Sequence, residues 1–268
     1  WFFETMKWRS LLNHFEDYPL EKTFRAVFAG ITVSLFTPNR IGEYGGRVLF
    51  LPPHLRWKGT MSTLAGSLAQ LIVLIGFGLL AIAVFSVEQL QLEGWAFMGA
   101  ASLCSVGLLI LILTYYNLEI AIRVADKLPR WSWLEKAKKP VRYLAEFDPK
   151  ALTRALKFAG LRYGVYALQY YLVALFFGIQ TGPMEAFMVI GSIYLLQTSI
   201  PLPPIWSLLV RGQVALYFWG FFCSNPILIL SATFGVWVIN LILPALLGMV
   251  FLMFLNIPKT LSYEAKKY

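Results

Sequence analysis

The stretch Thr37-Pro38-Asn39-Arg40-Ile41-Gly42-Glu43-Tyr44-Gly45-Gly46-Arg47 sets two arginines, a glutamate and three glycines between apolar segments. Charges in apolar surroundings are costly, and they usually face a cavity or one another. Broken backbone at membrane depth is tolerated only where it is buried in protein or lines a cavity. Pro38 breaks the helix, and Gly42, Gly45 and Gly46 allow close backbone approach. A helix starting near Ile41 would aim free N–H groups inward, an end that attracts anions. On such a helix Glu43 and Arg47 are four apart on one face and can pair. Two readings stay open from residue chemistry. Arg40, Gly42, Glu43 and Arg47 could hold an anionic headgroup or phosphate, or the stretch is a cytoplasmic loop with a structural Glu–Arg pair.

A second isolated charge is Arg211, with 25 uncharged residues before it and 47 after. Its candidate partners are Glu43, the carbonyls of the break at Pro201, Pro203 and Pro204, or a lipid phosphate. The alternative is snorkelling to the outer interface. Gln169, Gln197 and Asn240 lie inside apolar runs and are expected to hydrogen-bond between helices. No Ser–His–Asp set, carboxylate pair or zinc motif can be assembled, and Gly42–Gly46 fits neither a P-loop nor a dinucleotide fingerprint. No cofactor or metal is expected. Cys104 and Cys223 are expected as small buried apolar residues, and His14 and His54 as loop or interfacial ones.

The segments that must position these groups are apolar. Of 268 residues, 58% are apolar and 14% charged, and the mean hydropathy is +0.65. Soluble domains carry about 25% charged residues, so this chain cannot cover its surface with polar groups and its solvent is lipid. The fold class is all-α, a polytopic membrane bundle. A span takes about 20 apolar residues. On that measure 60–87, 94–116, 153–179 and 226–255 are predicted transmembrane helices. Arg162, in the basic start of the third, is expected to snorkel to the interface. Two apolar segments, Phe24 to Thr37 and Ala186 to Ile200, are too short to span. Each is followed by a second short segment with one arginine. They are predicted as re-entrant hairpins over 24–50 and 186–222. Trp1-Phe2-Phe3 reads as the tail of an apolar segment, so the chain is expected to be N-terminally truncated, with further helices upstream.

The net charge is +9. Basic residues flank apolar runs and form no separate basic domain, so anionic headgroups are the expected partners and nucleic acid is not. The segment 117–150 holds Arg123, Lys127, Arg130, Lys136, Lys138, Lys139, Arg142 and Lys150 and is predicted cytoplasmic. With Trp131 and Trp133 it is expected to form a surface amphipathic helix, or else a solvated linker. Lys7, Arg9, Lys22 and Arg25, and at the other end Lys259, Lys266 and Lys267, are also placed inside. The connections 88–93, 180–185 and 223–226 lack Lys and Arg and are placed outside. The two hairpins then dip from opposite faces. Gly30, Pro38 and Arg47 run parallel to Gly191, Pro201 and Arg211, which points to an inverted repeat.

The run Thr37 to Arg47 resembles a segment of the lysylphosphatidylglycerol synthase transmembrane region, the flippase-like domain family. Val210-Arg211-Gly212 and Leu243-Pro244-Ala245-Leu246-Leu247-Gly248 are similar to that family's second hairpin and last helix. The resemblance covers roughly Trp8 to Phe254. It implies a multi-helix membrane domain that moves or holds lipid-linked substrates, such as aminoacylated phospholipids or polyprenyl-phosphate sugars. By position, Pro38, Gly42, Glu43 and Arg47 match the first motif and Arg211 the second. Pro203-Pro204-Ile205-Trp206-Ser207 departs from the pattern, standing where family members often place a glycine-rich turn with a glutamate. The soluble aminoacyl-transfer domain of full synthases is absent from these residues, so lipid synthesis is not expected and the chain reads as a non-enzyme.

The resulting expectation is a multi-pass, flippase-like protein of the plasma or inner membrane. Arg47 and Arg211 would hold a phosphate-bearing headgroup between the hairpins, with Glu43 orienting Arg47. The alternative is a non-catalytic scaffold for a lipid-modifying or glycosyl-transferring enzyme, docked through 117–150. An ion-coupled transporter of small solutes is weaker, since Glu43 is the one acid expected near membrane depth.

Overall fold

A computed structural model describes residues 1–37, 41–92, 94–117, 142–199 and 207–254. Among these residues the chain is all helical, with 82% helix and no strand. The ten helices are α1 (Phe2–Leu12), α2 (Leu20–Leu35), α3 (Gly42–Val48), α4 (Pro53–Glu88), α5 (Trp95–Tyr116), α6 (Pro149–Phe176), α7 (Pro183–Ser199), α8 (Ser207–Trp219), α9 (Pro226–Trp237) and α10 (Leu243–Met253). A π-helical turn, Val238–Ile242, joins the last two into one continuous helix. Pro38, Arg40, Pro201, Pro203, Pro204, most of 117–150 and the lysines beyond 254 lie outside the described residues.

Local chemistry sets the boundaries. Proline stands in the first turn of α4, α6 and α9, where its missing N–H costs nothing. Asp148 caps α6 by accepting the Lys150 N–H at 3.1 Å, and Asn225 caps α9 through the Ile227 N–H at 3.0 Å. Gly178, with φ +92°, ends α6 in a conformation other residues resist. The π turn has its own cause. Pro244 has no N–H to offer the carbonyl of Asn240, four residues back, so the ladder shifts register and Leu243 bonds to Val238 instead.

Among the described residues three helices are long and apolar enough to cross a membrane: Pro53–Glu88, Phe97–Tyr116 and Pro226–Met253. The 28-residue α6, expected as a fourth span, has the length but carries Lys150, Arg154, Lys157 and Arg162 in its first half. Helix α5 packs along α4, meets the start of α6 through the Tyr115 and Tyr116 hydroxyls, and leaves large apolar side chains outward, with Leu103 74% and Met98 67% exposed. Cys104 lies on that outer face, so its expected burial is corrected. The sequence pattern gave no way to tell an apolar side turned to lipid from one turned to protein.

The two expected hairpins are helix pairs. Helix α2 packs on α3, and α7 on α8. At 16 and 17 residues, α2 and α7 fall short of the roughly 20 needed to span. Glycine sets the close approach in the first pair, because a Cβ on Gly46 would lie 2.7 Å from the Gly30 Cα. The long helices then cross over. Helix α4, which follows the first hairpin, packs along α7 of the second. Helix α10, which follows the second, packs along α2 of the first. Both crossings are built on glycine: Gly78 and Gly191 at α4–α7, Gly248 against Phe28 and Thr32 at α10–α2. Thr32 Oγ1 donates to the Ala245 carbonyl across the second crossing at 2.7 Å.

Candidate functional site

Five charged side chains from three parts of the chain meet inside the bundle. Glu4 and Lys7 come from α1, Glu43 and Arg47 from α3, and Arg162 from α6. Glu4 is the hub. Its Oε2 lies 2.7 Å from Lys7 Nζ and 2.6 Å from Arg162 Nη1, and its Oε1 lies 2.8 Å from Arg47 Nη2. Arg47 also pairs with Glu43, one turn away on the same helix. Burial is close to complete, with Glu4 3%, Lys7 2% and Arg47 1% exposed. A buried charge is stable only when paired and hydrogen-bonded, and a single carboxylate serves three cations.

The sequence makes room for this. A Cβ at Gly30 would sit 2.9 Å from Arg47 Cγ, and one at Gly66 would sit 3.3 Å from Lys7 Cε. Aromatic faces complete the walls. The Arg47 guanidinium lies 5.4 Å from the Trp8 ring centre, and that of Arg162 lies 4.8 Å from Trp1 and 4.9 Å from Tyr166. The Trp8 indole N–H is satisfied by the Gly59 carbonyl at 3.2 Å.

The charges do not balance. Lys7, Arg47 and Arg162 contribute three positive charges and Glu4 and Glu43 two negative ones, an excess of one. Two guanidinium donors, Arg47 Nε and Arg162 Nε, are buried without a hydrogen-bond partner among the described residues. A buried N–H without an acceptor costs about 1–3 kcal/mol. An anion with free oxygen acceptors would meet both deficits.

The residues anticipated from sequence divide. Gly42, Glu43, Gly46 and Arg47 come together as expected, and α3 begins beside Ile41. The N–H of Gly42 is taken by the Thr37 hydroxyl at 2.8 Å, so that end of α3 is capped from within. Gly45 has nothing within 4 Å of where a Cβ would stand, so close packing does not explain it. Arg211 is on α8. Glu43 goes to Arg47 instead. Gln169 and Asn240 form the expected interhelical hydrogen bond, at 2.9 Å. Glu4, Lys7 and Arg162 were not anticipated as site residues. Arg162 does not snorkel to an interface; its guanidinium turns inward to Glu4. Glu4 is a buried acid beside the partly buried Glu43. The one available signal was Glu4 and Lys7 at helical spacing within an apolar run.

A cavity of about 770 Å³ opens beside the first turn of α2. It carries Lys22 and Arg25, Glu16 and Asp17, and an apolar wall of Phe50, Phe251 and Phe254.

A helical bundle with three described helices long and apolar enough to cross a membrane, and a charge cluster buried among its helices, defines a helical membrane domain. The chain belongs to the lysylphosphatidylglycerol synthase TM region family, whose pattern it matches over residues 1–248. That family is a membrane domain associated with flippase-like function. Comparisons with curated proteins and with solved structures each find no match.

Proposed function

We propose that this protein binds and translocates an anionic or lipid-linked substrate of the phospholipid or polyprenyl-phosphate type. The phosphate is held where Arg47 and Arg162 leave donors unmet. The observation that carries this reading is the buried excess of one positive charge with two unpartnered guanidinium N–H groups. Phosphate supplies the negative charge and several acceptor oxygens, and it suits the guanidinium fork. Glu43 and Glu4 orient Arg47 and keep it ionised. The protein acts without enzymatic chemistry, as a multi-pass component of the plasma or inner membrane. The two hairpins are re-entrant and belong to an inverted repeat. The reciprocal crossings of α4 on α7 and α10 on α2 support that relation, because a two-fold axis between the halves would generate one from the other.

The test is reconstitution into vesicles with fluorescent phosphatidylglycerol and a quencher outside. Wild-type protein is expected to move label between leaflets. Arg162→Gln removes the excess charge and is expected to weaken headgroup binding at least tenfold. Glu43→Gln doubles the excess and is expected to tighten it. Binding that is indifferent to both changes would refute the proposal.

A further inference from the structure

From Arg162 a row of polar side chains continues along one face of α6. Tyr166 is four residues on and Gln169 three more, the spacing that stacks side chains on one helix face. Arg162 Nη2 lies 3.5 Å from the Tyr166 hydroxyl. Gln169 Oε1 then accepts from Asn240 Nδ2 of the π turn at 2.9 Å. Asn240 stands at the middle of the continuous apolar helix Pro226–Met253, the most costly depth for a polar group. The carboxamide pair is only half-buried, so the bundle does not seal it away from its surroundings. Pro244 adds to this by removing the N–H that an α-helix would give the Asn240 carbonyl.

The same seam carries donors that nothing meets. The indole N–H groups of Trp1 and Trp237 and the Arg162 Nε are each buried without an acceptor among the described residues. Trp1 lies 6.1 Å from the Tyr166 ring, and Trp1 and Trp237 pack against the same buried cluster, which includes Phe28, Leu241 and Ala245. Three unmet N–H donors beside a half-exposed carboxamide pair suit a ligand rich in oxygen acceptors and poor in donors. A phosphodiester headgroup has that character.

We propose that the seam between α6 and the α9–π–α10 helix is the route of the phosphodiester headgroup across the middle of the membrane. Gln169 and Asn240 are its midway hydrogen-bonding station. This inference rests on the transport reading above. The headgroup leaves the Arg47–Arg162 cluster, exchanges its bonds along Tyr166, and opens the Gln169–Asn240 bond to take both carboxamides as partners. A carboxamide pair serving only to hold two helices together would not need to open.

The experiment uses vesicles containing fluorescent phosphatidylglycerol and compares wild type with Gln169→Leu/Asn240→Leu. Replacing both partners leaves no orphaned group, so the fold is kept, which is checked by thermal unfolding in detergent. Transport is expected to fall at least tenfold while headgroup binding at the cluster stays within twofold of wild type. Gln169→Ser/Asn240→Ser keeps short polar groups on the path and is expected to recover at least half of the wild-type rate. Wild-type transport in the leucine pair, or equal losses in the leucine and serine pairs, would overturn the route and leave the transport reading standing. Wild-type vesicles that move no label would overturn the transport reading itself.

Discussion

Glu4→Gln is the sharpest probe of the buried cluster. The substitution keeps the shape and one acceptor oxygen, turns the other oxygen into an amide donor, and removes one charge. Glu4 sits 2.6–2.8 Å from three cationic groups that share it. Each attraction is worth roughly 4 kcal/mol at about 4 Å with an effective dielectric near 20. The three cations then repel one another with Glu43 alone to offset them. Breaking a buried pair by losing one partner typically costs about 3–5 kcal/mol, and that is the expected loss. The second step decides the cause. If Lys7 is destabilising once its counter-charge is gone, Lys7→Met in the Glu4→Gln background restores stability, by at least about half of the loss on the same scale. Alone, Lys7→Met leaves Glu4 with two arginines and costs less than Glu4→Gln. The assay is reversible unfolding in mixed dodecyl maltoside and SDS micelles, followed by a global helical signal. A Glu4→Gln protein within about 1 kcal/mol of wild type would refute the electrostatic account. So would further destabilisation on adding Lys7→Met.

Other expectations follow from single contacts. Gly248→Ala places a Cβ 2.1 Å from the Phe28 carbonyl oxygen and must push α10 off α2, costing about 1–3 kcal/mol in the same unfolding assay. Gly45→Ala meets nothing within 4 Å and should be neutral or stabilising by about 0.5–1 kcal/mol, because alanine is the better helix former. Thr32→Val removes the hydrogen bond to the Ala245 carbonyl across the same crossing and should cost about 0.6–1.7 kcal/mol. The exposed Arg25–Glu21 pair is expected to matter little: Glu21→Ala should shift stability by less than about 1 kcal/mol, less still in high salt.

Much of the scaffold is legible in the sequence. Apolar length, prolines at helix starts and glycines at breaks mark α4, α5 and α9–π–α10. The four-residue spacing of Glu43 and Arg47 identifies their pair. What stays hidden is the rest of the cluster. Arg162 and Glu4 are 158 residues apart, and no local pattern says that a basic helix start will turn inward. The register shift at Asn240 is partly legible, since Pro244 inside an apolar run must disturb the bonds behind it. That Gln169 would meet Asn240 depends on the packing of α6 on α9, which is a property of the whole bundle. Lipid-facing and protein-facing apolar residues look alike in composition, which is why Cys104 was misplaced.

The exchange of long helices between the halves bears on how the chain is assembled. Thr32 and the carbonyl it bonds are 213 residues apart. As the ribosome delivers the protein, α2 is made long before α10 exists to cover it, and Thr32 with the close-approach surface around Phe28 waits uncovered. The first hairpin is therefore an unfinished object throughout most of synthesis. Substitutions in α10 should show themselves as degradation of newly made chain, with the early segments recognised as unassembled, before they show as altered behaviour of the mature protein.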